Sequence, residues 1–194
     1  AQVLLDSMID KTAMIRYIKT LPRDAMKVPP QIIELLQSVH GDHLPLLFDV
    51  HEGLGDSSHG RRIIRMLLEQ QARDMPDQVV AHLHERTGEI GADLLRVLGN
   101  IHLKTAWQVI DTIAETADAA LKNECMYILE KSSYNNTVRG LTFRFLGDND
   151  EDFRIRSIQV LLTHNDRRDF PMLRRHADKA ASSRGLSERE APAL

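Results

Sequence analysis

Apolar residues recur along the chain at intervals of three and four positions, the spacing that places side chains on one face of an α-helix. Polar and charged residues fill most of the positions between them. The sequence contains no sustained alternation of apolar and polar residues, and no Asn-Gly or Asp-Gly pair of the kind that predicts a β-hairpin. We therefore expect an all-α fold built from amphipathic helices.

Residues 1–88 are expected to form an irregular helical region, because proline and glycine interrupt the helical pattern there. Proline should end the first helix at Pro22 and begin later helices, and Asp or Ser should cap a helix after a glycine-marked break. The expected boundary residues are Pro22, Pro29, Pro30, Asp42, His51, Gly53, Gly55, Asp56, Ser57, Ser58, Gly60 and Pro76. The expected apolar faces carry Leu5, Met8, Ile15, Ile18, Ile32, Ile33, Leu35, Leu36, Ile63, Ile64, Leu67, Leu68, Val79, Val80 and Leu83.

From residue 89 the pattern becomes regular, and a new helix is expected about every 15 to 17 residues. Leu98, Leu129 and Leu161 lie 31 and 32 residues apart, and Asp118 and Asp150 lie 32 apart. A fixed period of this size, made of two helices, predicts stacked helix pairs. The expected core positions are Ile90, Leu94, Leu95, Leu98, Ala106, Val109, Ile110, Ile113, Leu121, Cys125, Ile128, Leu129, Val138, Leu141, Thr142, Phe145, Ile155, Ile158, Leu161 and Leu162.

One segment of this regular part resembles a known repeat. Val138-Arg139 is followed by small and apolar residues and then by Leu146-Gly147, and an acidic turn follows at 148–152. This pattern resembles the HEAT repeat of the armadillo-like superfamily, over about residues 89–180. The resemblance implies an α-solenoid of stacked antiparallel helix pairs, with a concave face that binds another protein. We expect HEAT-like repeats over 89–181 and a soft boundary near Gly88.

The C-terminal residues 182–194 are expected to be a linker followed by the start of a truncated helix. Ser187 and Glu190 have the spacing of a capping box, which opens a helix. If a helix begins here, a catalytic domain outside the given residues stays an open alternative. The other interpretation of residues 187–194 is a frayed tail.

Composition narrows the function classes. The 194 residues are 42% apolar and 27% charged with a formal net charge of −3, which argues against bulk nucleic-acid binding. The longest stretch without Asp, Glu, Lys or Arg is the nine residues 157–165, too short to cross a membrane. We expect a cytoplasmic protein without a membrane-spanning segment. The single cysteine, Cys125, excludes an internal disulfide and is expected to be a buried structural thiol.

Arginine is concentrated towards the C-terminus. Residues 139–184 carry ten basic and seven acidic groups, and nine of the ten are arginine. Arginine binds carboxylate and phosphate groups with two parallel hydrogen bonds, so one interpretation is a docking edge for a partner with an acidic surface. The other interpretation is that these arginines pair with aspartates within and between repeats, namely Asp150, Asp152, Asp166, Asp169 and Asp178. The candidate partner-binding residues are Arg139, Arg144, Arg154, Arg156, Arg174 and Arg175.

A second polar cluster lies at 40–59, where histidine and carboxylate side chains offer ligands for zinc or iron. The spacing matches no known metal site, and the same residues favour solvated turns and helix caps. The metal candidates are His40, Asp42, His43, His51 and His59. No phosphate-binding glycine loop or Gly-x-Ser-x-Gly elbow is present, so no cofactor is expected.

The sequence therefore predicts a non-enzymatic scaffold or adaptor that binds another protein. One alternative is a nucleic-acid-binding or DNA-repair protein on the same solenoid, and a second is a metal-dependent hydrolase that uses the cluster at 40–59. A salt titration of DNA binding and a metal analysis, respectively, test these alternatives.

Overall fold

The computed structural model describes residues 11–22, 28–38 and 43–182, and within these ranges the protein is all-α, with helices and no strand. This confirms the predicted fold class at the level of secondary structure. In chain order the helices are α1 Lys11–Thr20, α2 Pro30–Ser38, α3 Leu44–Gly53, α4 Ser58–Gln71, α5 Pro76–His84, α6 Gly88–Ile101, α7 Leu103–Ile113, α8 Ala119–Lys131, α9 Asn136–Leu146, α10 Glu151–His164 and α11 Phe170–Ser182.

The chain divides into two compact units, one extending to Thr105 and the other beginning at Ala106. The division falls in the first turn of α7. Gly88, where a soft boundary is expected from the sequence, begins α6 inside the first unit. Of the described helices, none is both long and apolar enough to cross a lipid bilayer.

In the first unit, α1 packs on α3 and α4, α3 packs on α4, and α6 packs on α4 and α5. Most of the predicted face positions that the structure describes are buried, whereas Ile15, Ile33 and Val80 are half-buried. The core residues include Ile18, Ile32, Leu47, Val50, Ile63, Ile64, Leu67, Leu68, Val79, Leu83, Leu94, Leu95 and Leu98. The predicted positions Leu5, Met8 and Asp42, together with the side chains of Leu35 and Leu36, lie outside the described residues.

The turn between α3 and α4 corrects one prediction. Ser57 is the N-cap of α4, as expected, and its side chain accepts a hydrogen bond from the Gly60 amide at 3.4 Å. Gly55 has a left-handed φ of 55°, which glycine adopts without strain. Gly60, however, is not part of the break, because it lies inside the first turn of α4. A Cβ atom there would come within 2.8 Å of the Leu54 side chain, so glycine permits close packing instead.

In the second unit, α8, α9 and α10 pack against one another. The buried apolar residues include Ala106, Val109, Ile110, Leu121, Cys125, Met126, Ile128, Leu129, Val138, Leu141, Phe145, Phe153, Ile158, Val160, Leu161 and Leu173. One predicted core position is wrong: Leu162 is 39% exposed, whereas Phe153 and Val160 are buried. The buried face of α10 passes through Ser157 and Leu161, and each further residue turns the side chain by about 100° away from it.

Several polar contacts join residues with a similar separation in the sequence. In both units, a polar side chain on one helix contacts the helix two places along the chain, about 30 residues away. The pairs are Glu52–Arg86, Arg61–Asp93 and Glu69–Asn100 in the first unit, and Asp111–Arg144, Asn123–Arg156 and Asn136–Arg168 in the second. Arg86 lies two residues after α5, and Arg168 lies two residues before α11. These pairs are 31 to 34 positions apart in the sequence, whereas the contacts of Asp93 with Arg65 and His51 join residues 28 and 42 positions apart.

Candidate interaction surfaces

A buried ionic cluster in the first unit is centred on Asp93 of α6. The Asp93 residue is only 4% exposed, although it carries a carboxylate. Its Oδ2 atom accepts a hydrogen bond from Arg61 Nε at 2.8 Å and lies 3.1 Å from His51 Nε2, and its Oδ1 atom accepts from Arg65. Burial alone would raise the pKa of Asp93. The hydrogen bond with His51 and the charge of Arg65 outweigh burial, so the pKa is lowered.

Arg61 extends this cluster to the neighbouring turn. Its Nη1 atom donates to the Gly55 carbonyl oxygen at 2.7 Å, and its Nη2 atom lies 3.3 Å from Glu89. One guanidinium therefore links the α3–α4 turn to the first turn of α6. Because every member is hydrogen-bonded within the unit, we interpret the cluster as a structural element that holds three helices together.

The histidine and carboxylate cluster at 40–59 does not come together in the described part of the chain. His43 precedes α3, His51 belongs to the Asp93 cluster, and His59 lies in the first turn of α4. His40 and Asp42 lie outside the described residues. Within 11–22, 28–38 and 43–182, no group of three or more His, Cys, Asp or Glu side chains is arranged to hold a metal ion.

A groove of about 410 Å³ runs between α3 and α5 in the first unit. Its lining residues are Pro45, Phe48 and Asp49 of α3, Gln78, Ala81 and His82 of α5, and Glu85, which follows α5. The Phe48 ring stacks on the His82 ring with centroids 4.2 Å apart, which closes the floor of the groove. We call this feature the α3–α5 groove.

Glu52 of α3 contacts His82, one of the residues that line the groove. Its Oε1 atom lies 2.8 Å from His82 Nε2 and accepts a hydrogen bond from Arg86 Nε at 2.6 Å. Burial alone would raise the pKa of Glu52, but the hydrogen bond and charge of Arg86, with a further contribution from His82, lower it. The His82 ring therefore stacks on Phe48, and its Nε2 atom lies beside the Glu52 carboxylate.

Four of the six candidate arginines in the second unit are hydrogen-bonded within that unit. Arg139 of α9 donates to Asp169, which also accepts from the Tyr134 hydroxyl and has no exposed surface. Burial raises the pKa of the Tyr134 phenol, and the hydrogen bond to Asp169 raises it further. The Tyr134 ring stacks on His164 at 4.4 Å between centroids. These contacts fix the loop before α11 to α9.

The other three of these arginines bind neighbouring helices or loops. Arg144 donates to the Asp111 carbonyl oxygen at 2.6 Å, and Arg156 donates to Glu130 at 2.8 Å and to Asn123 at 3.0 Å. Arg154 donates to the backbone carbonyls of residues 148 and 149. The predicted pairing with Asp169 is present for Arg139, whereas the sequence does not predict Asp111 and Glu130 as partners.

Arg174 and Arg175 differ from these four. Both are exposed on α11, and among the described residues neither has a hydrogen bond or an ion pair. Phe170 and Met172 lie on the same helix and are 45% and 40% exposed. We call these four residues the basic face of α11. Arg184, the last arginine of the charged C-terminal segment, lies outside the described residues.

Cys125 is buried in α8, as predicted, with no exposed surface. Burial raises the pKa of its thiol to about 12, so the reactive thiolate form is rare at neutral pH. This environment is that of a structural thiol.

Sequence reasoning missed the Asp93 cluster and the α3–α5 groove. A signal for the first was present, because Asp93 stands directly before Leu94 and Leu95 on the expected apolar face. A carboxylate in that position needs buried cationic partners. The groove had no comparable signal, since its lining residues come from two helices that are 33 positions apart in the sequence.

Comparison of the sequence with protein-family models, with curated proteins and with solved structures gives no significant match. The likeness to HEAT repeats therefore rests on the residues of the chain itself.

Proposed function

We propose that the protein is a non-enzymatic interaction module of HEAT-like helix pairs that works in the cytoplasm and binds a partner protein with an acidic surface. The contact surface is the basic face of α11. The observation that carries this proposal is the exposure of Arg174 and Arg175 beside Phe170 and Met172, while the arginines of α9 and α10 are hydrogen-bonded within the unit.

The chemistry of this face suits an acidic partner with an apolar side chain. An arginine without an intramolecular carboxylate can form two parallel hydrogen bonds with a carboxylate of a partner. Aromatic residues, Met and Arg are enriched in protein interfaces, where a few such residues supply most of the binding energy. Among the six candidate arginines, this argument favours Arg174 and Arg175.

The repeated contacts about 30 residues apart support the stacking of helix pairs. Each unit has polar contacts between a helix and the second helix after it, which is the neighbour relationship of a helical-repeat array. Such arrays bind partners on an extended surface and need no enclosed cavity.

The test is selection of a random displayed peptide library on the intact protein, followed by affinity measurement of the enriched peptides by fluorescence anisotropy. We expect enriched peptides in which Asp or Glu flanks a large apolar residue. The double variant R174E/R175E should weaken their binding by about tenfold or more, because it replaces attraction by repulsion. The matched control is R16E/R73E, which makes the same charge change at two exposed arginines of the first unit.

Two outcomes would overturn the proposal. One is the enrichment of peptides that bind R174E/R175E as tightly as they bind the control. The other is a marked preference for duplex DNA. A protein that contacts six phosphates shows a slope of about −5 when the logarithm of its DNA-binding constant is plotted against the logarithm of salt concentration. A slope of that size would favour the nucleic-acid alternative.

A further inference from the structure

The α3–α5 groove combines an apolar floor with acidic edges. Phe48 and Pro45 of α3 and Ala81 of α5 supply the apolar part. Asp49 stands on one helix, and Glu85 follows the other, and their side chains are 61% and 71% exposed. Apart from His82, the residues lining the groove include no basic side chain.

The intramolecular ion pairs of the two acidic residues leave their carboxylates accessible. Lys11 Nζ is 3.8 Å from Asp49, and both side chains are largely exposed. Arg86 Nη1 is 3.4 Å from Glu85, but its Nε atom is committed to Glu52 at 2.6 Å. Exposed pairs at such distances contribute at most about 1 kcal/mol, so a partner cation can replace or share them.

The shape of the groove suits a short extended segment. The lining residues of α3 and α5 occur at the same spacing, because positions 45, 48 and 49 and positions 78, 81 and 82 differ by 33 throughout. From Gln78 to Glu85 is seven residues, or roughly 10 Å along α5 and the residue that follows it. An extended peptide covers that distance with about three residues.

We propose that the α3–α5 groove binds a peptide segment of a partner protein in which an apolar side chain lies between Arg or Lys residues. The apolar side chain contacts exposed Pro45 and Ala81 and the small exposed part of Phe48, and the flanking cations contact the carboxylates of Asp49 and Glu85. Charge complementarity selects this segment over an acidic one. The groove belongs to the first unit and has the opposite charge preference to the basic face of α11, so this proposal is independent of the proposed function.

The experiment is a nuclear magnetic resonance titration of the isotopically labelled intact protein. The probe is a short peptide with blocked ends, in which one leucine lies between two arginines. Two matched peptides replace the arginines by glutamate, or the leucine by serine. We expect chemical-shift changes at Phe48, Ala81 and His82 with the arginine–leucine peptide, and a dissociation constant about tenfold weaker or worse with each matched peptide.

The variant D49K/E85K should weaken binding of the arginine–leucine peptide by about tenfold or more. The matched control E34K/D56K makes the same charge change at exposed carboxylates outside the lining and should bind as the unmodified protein does. Circular dichroism of each variant confirms that it folds. Because Arg174 and Arg175 are unchanged in all these variants, the outcome is distinguishable from that of the peptide selection.

The proposal is overturned if no signal from the groove shifts at millimolar peptide, if the glutamate peptide binds equally well, or if D49K/E85K and the control bind alike. It is also overturned if the same groove signals shift when the protein alone is concentrated and D49K/E85K abolishes that shift. A second copy of the chain would then be the occupant.

Discussion

Replacement of Asp93 by Asn tests whether the buried ionic cluster stabilises the first unit. The substitution preserves the size of the side chain and removes its charge. Arg61 and Arg65 would then keep their positive charges without a buried counter-charge, although their side chains are only 10% and 17% exposed. Water cannot take the place of the lost carboxylate without opening the contact between α4 and α6.

The expected cost follows from the number and kind of interactions lost. Asp93 accepts from two guanidinium groups and contacts His51, whereas an Asn oxygen is neutral and its amide group cannot accept. Removal of one partner from a buried ion pair typically costs about 3–5 kcal/mol. Since a domain is stable by only about 5–15 kcal/mol, D93N should remove about a fifth or more of the stability of the first unit.

The assay is urea unfolding followed by two signals. Circular dichroism reports all helices, whereas the fluorescence of Trp107, the single tryptophan, reports the second unit. We expect D93N to lower the midpoint of the helical signal with little change in its slope on denaturant. The control is D49N, because Asp49 is exposed and its ion pair with Lys11 is long. That variant should lose less than about 1 kcal/mol.

The dependence on pH supplies a second test of the same reasoning. In the folded protein the pKa of Asp93 is lowered, because its hydrogen bond with His51 and the charge of Arg65 outweigh burial. In the unfolded chain the pKa is the ordinary value of about 3.9. A carboxyl group of this kind stabilises the fold fully above its unfolded pKa and loses that effect as pH falls through the folded pKa. The stability difference between wild type and D93N should therefore shrink below about pH 4.

If D93N and D49N unfold at the same urea concentration at neutral pH, the cluster is not a major source of stability and our interpretation is wrong.

Three further predictions concern the second unit. Leu129→Asp should lower the melting temperature far more than Arg144→Ala. The first variant places an unpaired charge between packed helices, which costs roughly several kcal/mol, whereas the second removes an exposed ion pair worth less than about 1 kcal/mol. The reverse ranking would contradict the assigned helix faces. Tyr134→Phe should destabilise the second unit by about 1–2 kcal/mol in urea unfolding, because the Tyr134 hydroxyl donates a hydrogen bond to buried Asp169. Alkaline ultraviolet titration of the native protein should show one tyrosine that ionises well above the ordinary pKa of tyrosine, and that signal should be missing from the variant. Cys125 should resist alkylation by iodoacetamide in the native protein and react readily in urea, as measured by mass spectrometry, and rapid native labelling would show that the thiol is accessible.

The positions of the helices could be predicted from the sequence because they depend on local patterns. Pro30 and Pro76 each begin a helix, Ser57 caps α4, and the apolar faces of α4 and α9 are buried as expected. These features follow from the backbone preferences of proline, the hydrogen-bonding ability of serine, and helical periodicity. The error at Leu162 has the same origin, since periodicity alone does not choose between neighbouring positions at the edge of a face.

The pairing of charged side chains could not be predicted in the same way. Whether Arg139 or Arg174 has an intramolecular partner depends on which helix lies beside it, and that is a property of packing. The Asp93 cluster likewise joins residues that are 28 to 42 positions apart. Composition revealed the arginine-rich segment, but only the structure separates the arginines that are used between helices from those that remain exposed.

The hydrogen-bonded arginines of the second unit also set the register of the helices. A helix that slides by one turn along its neighbour displaces every side chain by about 5.4 Å, beyond the reach of a hydrogen bond. Leucine and isoleucine contacts can re-form after such a slip, because the apolar stripe repeats with nearly the same spacing. Arg156 donates to Asn123, and the residues one turn before Asn123 on α8 are Ala119 and Ala120, whose side chains cannot accept a hydrogen bond. Arg156 therefore opposes the sliding of α10 along α8 in that direction.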